Sequence, residues 1–205
     1  MIAIIDYDAG NIRSVEKAFV SLGQEVAVTR DAGVLRSADK VVLPGVGNFG
    51  DCMQNLEKFG LVPVIREIAS GGRPFLGICV GLQLLFEESE ESPGVKGLGI
   101  LKGRILRIPE GGGRKIPHMG WNSIHLIRQN GSGRLFRGIP EQSYVYFVHS
   151  YYLKAADESI VTATAEYGVT IHASVEKDNV FATQFHPEKS SDTGLAILQN
   201  FAELS

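Results

Sequence analysis

Arg73-Pro74-Phe75-Leu76-Gly77-Ile78-Cys79-Val80-Gly81-Leu82-Gln83-Leu84-Leu85 is the stretch on which the reading of the fold turns. Its first part, through Ile78, reads as a short buried strand, and Leu82–Glu88 reads as a helix. A cysteine between glycines at a strand-to-helix junction is the thiol form of a nucleophile elbow. The glycines permit a sharp turn that pushes the side chain out of the sheet. Free N–H groups at a helix start favour a thiolate over a thiol. The N–H of Val80, next after Cys79, is placed to donate to a developing oxyanion.

A second motif supplies what a thiol nucleophile lacks. His186-Pro187-Glu188 ends an apolar segment, Val180–Phe185, that reads as another strand. Pro187 keeps His186 extended. Side chains two apart in extended chain share a face, so Glu188 lies alongside His186. The carboxylate then holds one ring nitrogen and leaves the other for the thiol, giving nucleophile, base and orienter. Each motif alone is weak, since a lone buried Cys is most often a small core residue. That plainer reading is the one given to Cys52, on one face of a helical Asp51–Leu56.

Around these motifs the first half of the chain alternates strand and helix. Ile2–Tyr7, Glu25–Thr29 and Lys40–Pro44 read as strands, Ile12–Leu22 as a helix, and a long helical region runs to about Ser70. The second half reads as strands at Gly103–Pro109, Trp121–Ile127, Tyr144–Leu153, Ile160–Tyr167, His172–Glu176 and Val180–Phe185. Glu176–Asn179 is a hairpin turn, and a last helix runs from Thr193 to Glu203 with Ser191 or Asp192 as cap. The fold class is therefore α/β: an open, mostly parallel central sheet flanked by helices, with antiparallel strands added in the second half. Cys79 and His186 meet at the carboxyl edge of the sheet, where such folds place their sites.

Composition narrows the function classes. With 205 residues, 44% hydrophobic, the chain suits one domain, residues 1–205, with a full core. A net charge of −3 without a basic stripe gives no reason to expect nucleic acid. Two cysteines do not make a disulfide framework, so a reducing, cytoplasmic location is expected. Met1–Asp6 reads as a first strand rather than a signal peptide, and no apolar run is long enough for a membrane span.

Pro44-Gly45-Val46-Gly47-Asn48-Phe49-Gly50 follows a strand and spells a G-x-G-x-x-G pattern. A dinucleotide site would need an acidic residue at the end of the next strand, which ends instead at Cys79. The better reading is a loop beside the elbow whose N–H groups complete an oxyanion hole with Val80. Gln83 lies one helical turn beyond Cys79 on the same face, although a solvent-facing glutamine is the commoner case. Glu87, Glu88, Glu90 and Glu91 crowd the far end of the same helix, against its dipole, and read as a solvated face or as a site for a cationic group. Asn11 reads as a helix cap at the end of the turn Asp6–Gly10. Trp121, the only Trp, reads most simply as core. The five histidines are scattered without ligand spacing, so neither metal nor cofactor is expected.

Taken together, Gly77–Gln83 and His186–Glu188 resemble the class I, triad-type glutamine amidotransferases. Further segments, among them Asp6-Tyr7, Gly10-Asn11, Pro44–Gly50, Glu87–Gly97, Pro117–Asn122, Phe147–Tyr151 and Gln184–Ser190, are similar to those of the glutaminase subunits of imidazole glycerol phosphate synthases. The resemblance spans the chain; Asp8, where that family often has Gly, departs from it in a loop.

The resemblance implies a Cys79–His186–Glu188 triad that hydrolyses glutamine through a glutamyl thioester. It implies an oxyanion hole from Gly45, Val46, Gly47 and Val80, completed when a loop peptide reorients. It assigns Gln83, Glu91, Ser150 and Tyr151 to substrate binding, and Asn11, Trp121, Tyr146 and Lys189 to a subunit interface. Because amidotransferase motifs run from end to end, no synthase domain is expected in this chain. The implied partner is a (β/α)8-barrel cyclase subunit that consumes the ammonia. Other readings are a class I glutaminase of another pathway, a thiol hydrolase without ammonia transfer, an inactive scaffold, and a dinucleotide-binding protein.

Overall fold

The structure, a computed structural model, describes residues 1–9, 11–128 and 133–205; Gly10, which the sequence places in the first turn, lies outside the described residues. Strands β1 (Ile2–Ile5), β2 (Val26–Thr29) and β3 (Lys40–Gly45) alternate with α1 (Ile12–Ser21) and α2 (Ala32–Ser37). The expected long helical region is two helices, α3 (Phe49–Lys58) and α4 (Leu61–Ser70), because Gly60 turns left-handed between them at φ 66°. Then come β4 (Phe75–Cys79) and α5 (Val80–Leu84).

The chain continues through β5 (Glu88–Ser89), β6 (Gly103–Arg107), β7 (His118–Ser123), β8 (His125–Leu126), β9 (Tyr144–His149), β10 (Tyr151–Ala155), β11 (Val161–Glu166), β12 (Thr170–Lys177) and β13 (Val180–Thr183), ending in α6 (Ser191–Ala202). The main sheet has the order β2-β1-β3-β4-β13-β12-β11-β8. Its first five strands are parallel, and the pairs from β13 to β8 are antiparallel. Two smaller sheets, β10-β6-β5 and β7-β9, stand apart from it. The segment Tyr144–Leu153, read as one strand, splits at Ser150 so that its halves serve different sheets.

β4 sits at the centre because it is apolar on both faces. Phe75, Leu76 and Ile78 are buried, each side chain contributing about 2 kcal/mol. In register, Gly45 of β3 pairs with Cys79, and Thr183 of β13 pairs with Ile78. The carboxyl ends of these three adjacent strands therefore open on one place, bringing the Val46–Asn48 loop, Cys79 and His186 together. One continuous apolar cluster joins both halves, from Ile4 and Phe19 to Phe181 and Phe201.

Three expectations about helix ends are corrected. Helix α5 stops at Leu84, not Glu88, because the returning chain takes its last carbonyls: Leu98 N–H donates to Leu84 O, Ile100 to Leu85 O and Gly99 to Phe86 O. Asn11 occupies the N-cap of α1, but its side chain accepts from Ser14 Oγ at 2.8 Å and caps no N–H. The N-cap of α6 is Ser190, not Ser191 or Asp192, and its hydroxyl is committed to His186 O and the Tyr146 N–H.

Candidate active site

Cys79 ends β4 with φ 56° and ψ −110°, a conformation that side chains rarely adopt. The strain thus falls on the cysteine itself. The neighbouring glycines serve close packing instead: a Cβ on Gly81 would collide with the Leu43 carbonyl, and one on Gly45 would lie 2.7 Å from Gly81 N. The elbow consequently rests directly on β3, and the thiol projects into a cavity of about 160 Å3. That cavity is lined by Val46, Gly47, Cys79, Val80, Gln83, Glu91, Val148, His149, Ser150, Tyr151 and His186. Size does not single it out, since a groove beside His172 is larger, about 590 Å3. Chemistry does, because no cysteine lines that groove.

His186 lies beside Cys79 and is buried, and its Nδ1 bonds Glu188 Oε1 at 2.8 Å. The pairing foreseen between these two side chains is present, but not by extension, since Pro187–Lys189 is a 3-10 turn that folds Glu188 back. A carboxylate accepts only, so Nδ1 carries the proton and Nε2 is left as the basic nitrogen. Nε2 is buried and has no hydrogen-bond partner among the described residues. Burial opposes charge on this ring, yet the neighbouring Cys79 sulfur and then the Glu188 carboxylate outweigh it, holding His186 well above the ordinary histidine range. The sulfur donates to Val148 O and receives Gln184 Nε2, both at 3.9 Å.

The loop wall is held from below. Tyr7, fully buried, donates its hydroxyl to Pro44 O at 2.6 Å, and the Cys52 thiol donates to Val46 O at 3.6 Å. Cys52 is core, as expected, and burial pushes its thiol up to about 11. Of the four residues assigned to an oxyanion hole, Val46, Gly47 and Val80 line the cavity, while Gly45 lies beneath it in β3. Val80 opens α5, so its N–H has no carbonyl of that helix to bond.

Gln83, Glu91, Ser150 and Tyr151 all line the same cavity. Gln83 does not face solvent: it is buried, and its Nε2 donates to Tyr151 O and Gln184 Oε1, both at 3.1 Å. The acidic residues do not crowd a helix end. Glu87 accepts from Gly103 N–H, Glu88 pairs with Lys96 and Arg104, and Glu90 accepts from Arg107 N–H. Glu91 accepts from Phe49 N–H at 2.8 Å at the start of α3, and burial raises its carboxyl above the usual range.

Trp121 is not core. With Met119 and Tyr144 it stands on the outward face of β7-β9, at 53%, 61% and 61% exposure, and its ring meets Tyr146 edge-on. The inward face of the same ribbon holds His118, Val145, Phe147 and His149, all buried. Tyr146 O accepts from the His186 N–H, Trp121 packs on Tyr146, and exposed Lys189 follows in the Pro187–Lys189 turn, which α1 also contacts. Reading the sequence missed Gln184 and His149. The signal for Gln184 was its place two residues before His186 in extended chain. Among the described residues, no three His, Cys, Asp or Glu side chains cluster to hold a metal.

The family description "Glutamine amidotransferase class-I" matches residues 3–204. The chain belongs to the class I glutamine amidotransferases. Two relatives named imidazole glycerol phosphate synthase subunit HisH place it more closely within that family. The one from Moorella thermoacetica is 53% identical over 203 residues, 99% of this chain and 94% of its own length. The one from Methanocaldococcus jannaschii is 50% identical over 204 residues, covering both chains fully. The amidotransferase fold is shared with solved structures of low identity. A glutamine amidotransferase superposes with TM-score 0.75 at 20% identity, over 98% of this chain and 100% of that one. PurLQS from Thermotoga maritima gives 0.74 at 22%, over 98% and 96%.

Proposed function

We propose that this amidotransferase is the glutaminase subunit of an imidazole glycerol phosphate synthase, supplying ammonia to a cyclase subunit in histidine biosynthesis. The observation that carries the chemistry is the Cys79 sulfur in one small cavity with a histidine whose other nitrogen is held by Glu188. The relatives' printed names carry the pathway.

In this reading glutamine enters with its side-chain amide over Cys79. Proton transfer from the thiol to His186 Nε2 frees the sulfur to attack the amide carbon. The carbonyl oxygen becomes an oxyanion facing the N–H groups of Val80 and of the Val46–Gly47 loop. His186 gives its proton to the departing nitrogen, and ammonia leaves a glutamyl thioester. Water, deprotonated by His186, then splits the thioester to glutamate and free thiol. Glu188 fixes the Nδ1–H tautomer and supports the imidazolium. Glu91 and the Gln83 amide oxygen receive the substrate ammonium, and the Ser150–Tyr151 backbone holds its carboxylate end.

The outward face of β7-β9 is the docking surface for the cyclase. Trp and Tyr are the side chains that anchor interfaces, and Val148 of the same ribbon, paired with Met119, lines the cavity that would release ammonia. Residues 1–205 then act as one glutaminase unit, working in the cytoplasm; among the described residues no helix is long and apolar enough to cross a membrane. Glutamine hydrolysis by the wild type and Cys79→Ala, each with and without a cyclase subunit, tests the proposal. Undiminished ammonia release from Cys79→Ala removes it.

A further inference from the structure

Four buried polar side chains form a single hydrogen-bonded path from the β7-β9 ribbon to the cysteine sulfur. His118 is 3% exposed, His149 6%, Gln83 3% and Gln184 0%. The path pivots on the Tyr151 carbonyl, which can only accept. His149 Nδ1 lies 2.8 Å from that oxygen and must therefore carry the ring proton. His149 Nε2 is then an acceptor, and His118 Nδ1, 3.0 Å away, must donate to it. His118 Nε2 in turn accepts from Asn122 Nδ2 at 3.3 Å, and Asn122 also donates to Glu166 O. His118 is stacked between Phe147 and Tyr167, with ring centroids 4.7 and 3.9 Å away, so it has little freedom to turn.

The other side of the pivot is equally determined. Gln83 must turn its NH2 toward Tyr151 O, and its second hydrogen goes to Gln184 Oε1. Gln184 is left with its own NH2 toward Cys79 Sγ, at 3.9 Å. Both amide orientations follow from one backbone oxygen. Burial holds both histidines neutral, His118 near 4 and His149 near 3, as the path requires. As a thiol, Cys79 has Val148 O to donate to; as a thiolate it loses that bond, and the Gln184 N–H joins the neighbouring protonated His186 in facing the negative sulfur.

We propose that Gln184 is a further catalytic residue, giving the N–H that stabilises negative charge on Cys79 Sγ, and that His149 is a positioning residue that holds in place Tyr151 O, the carbonyl that sets the direction of that N–H through Gln83. The proposal rests on the reading of Cys79 as the nucleophile and extends it. It also means that β9, whose outward side chains belong to the docking face, carries on its inward side the anchor of the thiolate's donor.

The rate of Cys79 alkylation by iodoacetamide in the full chain, read by mass spectrometry of its own peptide to exclude Cys52, tests it without glutamine. Gln184→Met keeps the volume but has no donor, and should slow alkylation about tenfold at neutral pH, the scale of a hydrogen bond to a charged atom. Gln184→Glu should slow it further. His149→Leu should slow it, whereas His149→Asn, which keeps a donor near the Nδ1 position, should restore the wild-type rate. Glutamine turnover should fall in kcat with KM little changed in Gln184→Met.

Alkylation of folded Gln184→Met within twofold of wild type overturns the role of Gln184, and an Asn no better than Leu at 149 overturns that of His149. The wild type supplies an independent readout that needs no variant: long-range 15N–1H spectra should show His118 and His149 both as Nδ1–H tautomers. A Nε2–H form of His149 overturns the proposal. Glutamine hydrolysis by Cys79→Ala would instead remove the nucleophile assignment, so the two readings fail by different results.

Discussion

Gly45 and Gly81 meet backbone to backbone: a methyl group on Gly45 would lie 2.7 Å from the Gly81 nitrogen. This contact fixes the height of the elbow above β3 and joins the Val46–Asn48 loop to the helix that follows Cys79. Gly81→Ala forces its methyl into the Leu43 carbonyl. We expect a loss of about 1–3 kcal/mol in urea unfolding, the cost of overpacking a filled interior, together with a collapse of kcat. Wild-type stability in Gly81→Ala would show that the elbow can move away from β3.

Glu188→Gln keeps the shape of the orienting group and removes its charge. The expected result is a fall in kcat of roughly 10²–10⁴-fold with KM nearly constant. Stability should hold or rise, because Glu188 Oε2 is buried without a hydrogen-bond partner. Steady-state glutaminase kinetics and a thermal melt check both halves.

Tyr7→Phe removes the hydroxyl that holds Pro44 O and should cost about 1 kcal/mol of stability. Glutamine hydrolysis is expected to be slow in the isolated chain and faster with the cyclase subunit and its nucleotide ligand. Tyr7→Phe should narrow that ratio by loosening the loop. Equal rates with and without partner, in wild type, would count against gating.

Trp121→Ala should leave the melting temperature almost unchanged, since the ring is half exposed. Titration calorimetry with the cyclase should show a loss of about 2 kcal/mol or more in affinity, the scale of an interface anchor. Unaltered affinity would place the docking surface elsewhere.

Acid should weaken the fold before the carboxylates titrate. Burial lowers His118, His149 and His172, whereas in an unfolded chain each titrates near ~6.5. Between about pH 6.5 and 4 the unfolded state binds more protons, so stability falls as pH drops through that window. His186 has the opposite sign: its folded value is raised, so its contribution is lost as pH rises above ~6.5 and is silent in the acid window. Urea unfolding should lose roughly 3 kcal/mol from pH 6.5 to 5, mostly from His118 and His149. A flat profile across that range would show that the buried rings titrate normally.

The strands that build the central sheet were legible because their apolar runs are continuous, as in Val41–Leu43 and Phe75–Leu76. That Cys79, His186 and Glu188 would come together was legible because each sits in a short motif with its own chemistry. What escaped depends on contacts between residues distant in the chain. The end of α5 is set by Leu98–Ile100 returning to its carbonyls. Gln83 looked like a solvent-facing helix residue until Tyr151 and Gln184 closed over it. Trp121 by itself reads as core, and only the resemblance put it at an interface; its exposure follows because β7, among the described residues, pairs only with β9 and leaves that face uncovered.

The φ of 56° at Cys79 has a consequence for how this chain can change. Glycine accepts that conformation freely and cysteine resists it. Selection for a sturdier fold alone would favour erasing the side chain at 79, and with Cys79 as the proposed nucleophile, drift toward glycine there would silence the protein without unfolding it. Reactivity and robustness pull in opposite directions at this one position, and the thiol's presence records which of the two has been kept.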